Sequence, residues 1–123
     1  MSLITILVED SQTIRDNLIP ALEELADAQV VAVAETAQNA LEALERHASW
    51  RLVIVDLFLK EGSGLAVLRA CRNRPPGKHV VVLTNYPTVE MRERCRVLGA
   101  DAVFDKSTEL DAFFEQCLRY QAG

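Results

Sequence analysis

The sequence predicts an α/β fold, a parallel sheet covered by helices on both faces. Three observations carry this expectation. Short, continuously apolar, β-branched runs recur at Ile4–Val8, Leu52–Val55, Val80–Leu83 and Ala102–Phe104. Such runs read as strands buried on both faces. Segments with apolar residues three and four apart alternate with them, which is the period of a helix with one apolar stripe. Each run also ends in polar chemistry: Glu9-Asp10, Asp56, Thr84 and Asp105-Lys106. Alternating strands and helices imply right-handed crossovers and parallel strands. The four polar ends then share one edge of one sheet, and ligands bind outside that edge.

Each element has its own signal. After the first strand, Ile14, Leu18, Ala21, Leu22 and Leu25 form the stripe of the first helix. Pro20 falls inside it, and its missing backbone donor predicts a bend. The second strand is the valine-rich segment Gln29–Ala34. Thr36 suits the N-cap of a second helix carrying Ala37, Ala40, Leu41 and Leu44, since a short hydroxyl side chain can accept from a free backbone N–H. Ser63 suits the cap of a third, with Leu65, Leu68 and Cys71. Pro75-Pro76-Gly77 separates that helix from the fourth strand. Met91, Cys95 and Leu98 mark the fourth helix, and Gly99 stands where a left-handed residue ends it. Ser107 is expected to cap the last helix, which carries Leu110, Phe113, Phe114, Cys117 and Leu118. The pattern of strand and helix, five times repeated, makes residues 1–123 one domain with no linker or repeat.

Half of the 123 residues are hydrophobic and a quarter are charged, a soluble globular composition with enough chain to bury a core. No apolar run has the length that spans a bilayer. The N-terminus leads straight into a strand without a signal peptide, so a cytoplasmic location is expected. Cys71, Cys95 and Cys117 are odd in number and distant from His47 and His79. That excludes a zinc motif and a disulfide framework and leaves buried thiols. The net charge of −5 is uneven: residues 1–60 hold 10 acidic and 4 basic side chains, residues 61–123 hold 8 and 9. Arg69, Arg72, Arg74, Lys78, Arg92, Arg94 and Arg96 concentrate the positive charge. They suit either an acidic partner or, more plainly, solvated helix faces. Without aromatic interleaving or a recognition helix, direct nucleic-acid binding is not expected.

The strand ends carry the chemistry. If the first and third strands are neighbours, Glu9, Asp10 and Asp56 converge and repel, each raising the pKa of the others. A divalent cation resolves that conflict. An all-carboxylate set without histidine or thiolate suits a hard ion such as magnesium, which also bridges to phosphoryl groups. Thr84 and Lys106 offer a hydroxyl and an ammonium to phosphoryl oxygens. In a sheet of order 2-1-3-4-5 Asp56 is central, placed to act as a nucleophile that forms an acyl phosphate. The cation and the lysine stabilise charge on the transferring group. Neither a P-loop nor a G-x-G-x-x-G sequence is present.

Over essentially its whole length the chain resembles the receiver domain of two-component response regulators. The resemblance rests on Glu9-Asp10, the segment from Asp56 to Leu65, Thr84 and Asp105-Lys106-Ser107. It implies a flavodoxin-like fold with strand order 2-1-3-4-5. It implies that Asp56 accepts a phosphoryl group from a phosphohistidine of a sensor histidine kinase or phosphotransfer protein. Asp10, Asp56 and the Phe58 carbonyl would coordinate Mg2+, Glu9 would act through a bound water, and Lys106 and Thr84 would contact the phosphoryl oxygens. The function implied is a signalling switch, catalysing only its own phosphotransfer and dephosphorylation. Its surface of fourth helix, fifth strand and fifth helix would engage a downstream protein or a second copy.

Several positions depart from the family pattern. Lys60 replaces a usual proline four residues after the acceptor, and Ser107 replaces another after Lys106. The Lys106–Ser107 bond is then trans, or cis at a cost. Val103 replaces the usual switch aromatic, leaving Tyr86 or Phe104 to serve instead. Asn85 replaces a small residue, and either reaches the phosphoryl group or crowds it. Phe58 and Tyr86 are expected to shield the acyl phosphate from water. Two other readings stay open: a pseudo-receiver that binds partners without phosphorylation, and a receiver belonging to a longer regulator. A haloacid-dehalogenase-like phosphatase needs an acid two residues after its nucleophile, where this chain has Phe58.

Overall fold

The structure, a computed structural model, describes residues 2–85 and 87–123. Five strands, β1 (Leu3–Val8), β2 (Ala28–Ala34), β3 (Leu52–Val55), β4 (His79–Thr84) and β5 (Ala102–Asp105), alternate with five helices. The helices are α1 (Gln12–Ala26), α2 (Ala37–Arg46), α3 (Gly64–Cys71), α4 (Val89–Val97) and α5 (Leu110–Ala122). The strands form one parallel sheet in the order β2-β1-β3-β4-β5, the flavodoxin-like order expected. β1 and β3 are therefore neighbours, with Val8 paired to Val55. The residues that follow each, Glu9 and Asp56, leave the sheet side by side.

Side chains alternate along each strand, so the sheet supports two cores. Ile6, Val8, Val53, Val55, Val80 and Val82 pack with α2, α3 and Cys95 of α4. Leu3, Leu7, Leu52, Ile54, Val81 and Leu83 pack with α1 and α5 on the other face. Phe113 is fully buried there, and burying one such ring contributes about 1.5–3 kcal/mol. All three cysteines are buried and free, as expected. Among the described residues no helix is long and apolar enough to cross a membrane.

The caps mostly follow the sequence. Thr36 accepts from the Asn39 N–H and Ser63 from the Leu65 N–H. Gly99 takes a φ of +98° after α4, donating its N–H to the Arg96 carbonyl. Two expectations need correction. Ser107 does not cap α5; the cap position is Glu109, and Ser107 turns back to Asp105. Leu25 is 52% exposed while Ala26 is fully buried. Leu18, Leu22 and Ala26, each four apart, are the inward row of α1, and Leu25 rotates off it. α1 holds Pro20 within its span, Gln12–Ala26, where the sequence places it. Proline lacks the N–H that would bond the carbonyl of Asp16, an exposed residue.

Of the seven basic residues, Arg69, Arg72, Arg94 and Arg96 are exposed, as solvated faces would be, while Arg74, Lys78 and Arg92 are less free. Arg74 donates to the carbonyls of Cys71, Lys78 and Gly99 and pairs with Asp101 at 2.7 Å. Lys78 lies over the Trp50 ring. Arg92 donates to the Pro87 and Val103 carbonyls and to Glu109. Arg74 and Arg92 close loops and helix ends, because each satisfies several carbonyls that helices and turns leave open.

Candidate functional site

The carboxyl edge of the sheet gathers Glu9, Asp10, Asp56 and Lys106 around a cavity of about 300 Å3, lined also by Ser11, Ile14, Phe58 and Asn85. One carboxylate oxygen each from Glu9, Asp10 and Asp56 lies within 4.8 Å of the others. The convergence follows from the topology. Glu9 leaves β1 with its N–H donated to the Ala34 carbonyl, and Asp56 leaves β3 with its N–H donated to the Val8 carbonyl. Each acid is held by its backbone at the end of a buried strand.

Lys106 neutralises part of this charge. Its ammonium donates to Glu9 Oε1 at 2.5 Å and to Asp56 Oδ2 at 2.9 Å, and its backbone N–H donates to the Thr84 carbonyl. The side chain is only 9% exposed. Burial opposes its charge, but the bonds to Glu9 and Asp56 outweigh that and raise its pKa. Glu9 is 2% exposed. Burial raises its pKa, against the lowering effect of Lys106 and of the Ser11 N–H bonded to Oε2; the Asp56 charge adds to the rise. Asp56 Oδ1 accepts from the Phe58 N–H at 3.3 Å. The Asp10 carboxylate has no hydrogen-bond partner among the described residues.

An all-oxygen donor set of three close carboxylates fits a small hard cation such as Mg2+. It does not fit zinc, which favours nitrogen and sulfur. A lysine shared between two of the acids supplies the countercharge meanwhile, and a cation can displace it.

Other expected residues stand differently. Thr84 is fully buried, and its hydroxyl has no hydrogen-bond partner among the described residues. It does not line the acid cavity, although its carbonyl anchors Lys106. Asp105 turns away, accepting from the Ser107 N–H and hydroxyl, and these bonds lower its pKa. The Lys106–Ser107 bond is trans. Phe58 is 59% exposed at the cavity rim. Val103 packs toward the α4 side of the sheet, while Phe104 packs edge-on against Phe113 on the opposite face. Phe104 therefore cannot substitute for an aromatic beside α4. Tyr86, the other candidate, lies outside the described residues.

Sequence reasoning passed over three contributors. Gly64 is obligatory: a Cβ there would sit 2.3 Å from the Asp56 carbonyl oxygen and 2.8 Å from the Leu57 Cα. The glycine lets α3 pack directly on the loop that carries Asp56. Ser11 caps α1 through the Ile14 N–H while its own N–H holds Glu9. Arg15 donates to the Glu9 carbonyl at 2.8 Å. The first was visible as a glycine in a turn and the second as a serine just ahead of the first helix; Arg15 had no local signal.

Residues 5–117 match the response regulator receiver domain family. The photosynthetic apparatus regulatory protein RegA of Cereibacter sphaeroides is 30% identical over 106 residues, 85% of this chain and 55% of that protein. The transcriptional regulatory protein PmrA of Pectobacterium parmentieri is 32% identical over 121 residues, 96% of this chain and 53% of that one. The chain thus spans about half the length of these relatives. In structure it is similar to a LuxR-family DNA-binding response regulator from Staphylococcus aureus, with a TM-score of 0.85 at 20% identity, covering 97% of this chain and 98% of that one. It is equally similar to the receiver domain of the putative response regulator NarL from Mycobacterium tuberculosis, at a TM-score of 0.85 and 18% identity, covering 99% and 98%.

Proposed function

This chain belongs to the response regulator receiver domain family, and from that premise we propose that it is a phosphorylation switch in a two-component phosphorelay. The observation that carries the reading is the Lys106 ammonium held between Glu9 and Asp56, with Asp10 beside them. Asp56 is the nucleophile. Its carboxylate attacks the phosphorus of a phosphohistidine presented by a sensor histidine kinase or phosphotransfer protein; the P–N bond breaks and an O–P bond forms. Lys106 then exchanges a carboxylate oxygen for a phosphoryl oxygen. The Thr84 hydroxyl, without a partner among the described residues, gains one by turning toward the same group. Asp10, Asp56 and the Phe58 carbonyl would hold Mg2+, with Glu9 acting through water. When bound, that ion offsets the carboxylate charge and the charge on the transferring phosphoryl group.

Phe58 borders the cavity and limits approach of the water that hydrolyses the acyl phosphate. Phe58→Ala is expected to shorten its lifetime. The output is a shift in partner binding through α4, β5 and α5, toward a downstream protein or a second copy of the chain.

The test is incubation with a small phosphodonor and Mg2+, followed by intact mass. A gain of one phosphoryl group, absent in Asp56→Asn and in chelator, is expected. No gain under any donor would leave a partner-binding module that phosphorylation does not control.

A further inference from the structure

Asp10 is the acid without a hydrogen-bond partner among the described residues, so its placement depends on the backbone that carries it. That backbone is held by Arg15. From α1, the Arg15 guanidinium donates through one nitrogen to the Glu9 carbonyl at 2.8 Å and pairs through the other with Glu35 at 3.0 Å. The Glu9 carbonyl belongs to the peptide that joins Glu9 to Asp10. The Arg15 side chain is largely buried, 14% exposed.

Glu35 extends the brace. Its own carbonyl accepts the Lys60 N–H at 3.3 Å, and the neighbouring Ala37 N–H donates to the Glu61 carbonyl at 3.0 Å. Thr36 and Glu61 form an isolated parallel bridge. Gly62 approaches α2 so closely that a Cβ would lie 2.7 Å from that of Ala37. The loop after β3, which carries Phe58, is thus pinned to the loop after β2, and Arg15 joins that pair to the loop after β1. A planar fork suits two acceptors held at fixed angles; an ammonium does not.

We propose that Arg15, oriented by Glu35, is a positioning residue that sets the Glu9–Asp10 peptide for divalent-cation binding. The inference rests on the reading of Glu9, Asp10 and Asp56 as a magnesium site. Outer-sphere partners of ligand residues commonly control metal affinity by 10-fold or more.

The sign of the effect separates positioning from charge. A cation beside an acid cluster repels Mg2+, so on Coulomb grounds alone its removal tightens binding. Positioning predicts the reverse. Titration of the full chain with Mg2+, read from the amide NMR shifts of Ser11 and Phe58, should give about tenfold weaker binding in Arg15→Ala. Arg15→Lys keeps the charge but loses the fork, and should also bind more weakly than wild type, by a smaller factor. Glu35→Gln should show the same direction. Unchanged or tighter binding in Arg15→Ala, or wild-type binding in Arg15→Lys, overturns the inference. If Arg15→Ala does not fold by circular dichroism, Arg15→Lys decides it on the same readout, since Glu35→Gln also removes a negative charge. A wild-type chain whose amide shifts ignore Mg2+ ends the magnesium reading itself.

Discussion

Replacing Lys106 by methionine keeps most of the side-chain volume and removes the only cation paired with the Glu9 and Asp56 carboxylates among the described residues. Both carboxylates stay nearly inaccessible to solvent. Removing one member of a buried pair typically costs about 3–5 kcal/mol, because the remaining charge is left uncompensated. Here Glu9 has an escape: it can bind a proton. With an ordinary glutamate pKa of about 4.3 in the unfolded chain, that proton costs about 3.7 kcal/mol at pH 7 and about 1.6 kcal/mol at pH 5.5. The loss on Lys106→Met should therefore be about 3–4 kcal/mol at pH 7 without Mg2+, and about half that at pH 5.5. At alkaline pH the difference should vanish for another reason. The Lys106 pKa is raised in the folded state, so its contribution is complete below the unfolded value of about 10.4 and is lost as pH rises through the folded one. Urea unfolding followed by the fluorescence of Trp50, buried at the far end of the sheet, measures all three conditions. A loss below about 1 kcal/mol at pH 7, or one that does not shrink at pH 5.5, would show that the acid cluster does not depend on Lys106.

Burial raises the Glu9 pKa, so protons should compete with Mg2+ at a pH above the ordinary carboxylate range; Mg2+ affinity falls as pH falls, and Glu9→Gln should move that fall to lower pH in the same NMR titration. Gly64→Ala should lower the urea-unfolding free energy by about 1–3 kcal/mol and slow phosphorylation, since the added Cβ strikes the Asp56 carbonyl and the Leu57 backbone; an unperturbed variant would mean that α3 shifts freely away from the loop. Burial pushes the thiols of Cys71 and Cys117 up to about 11 and about 12 and raises that of Cys95. Ellman's reagent should therefore react at the rate of unfolding, and a fast native reaction would place a thiolate at the surface.

Much of the site could be read before any coordinates, for a physical reason. Glu9, Asp10, Asp56 and Lys106 each follow an apolar strand directly, and strand period and length are local properties of sequence. Strand order came from the family resemblance, and the sheet has it. The misplacements are where local rules compete with packing. Ser107 has the chemistry of a helix cap, but Asp105 two residues earlier takes its donors, and α5 starts two residues later than that cap would place it. Leu25 keeps helical spacing with Leu18 and Leu22, yet the sheet below α1 meets Ala26. Phe104 is one residue from Val103, and that single step puts it on the other face.

The order of strands and helices, the chemistry at the strand ends and the hard-cation character of the acid cluster belong to the amino-acid sequence, because each depends on residues a few positions apart. Contacts between distant segments belong to the tertiary structure: Lys106 meets Glu9 across 97 positions and Asp56 across 50, Arg15 reaches from α1 to Glu35, and Gly64 admits α3 against the Asp56 loop. Their geometry depends on how five loops close over one sheet edge, and loop closure is set by packing of the whole domain, which no local pattern encodes.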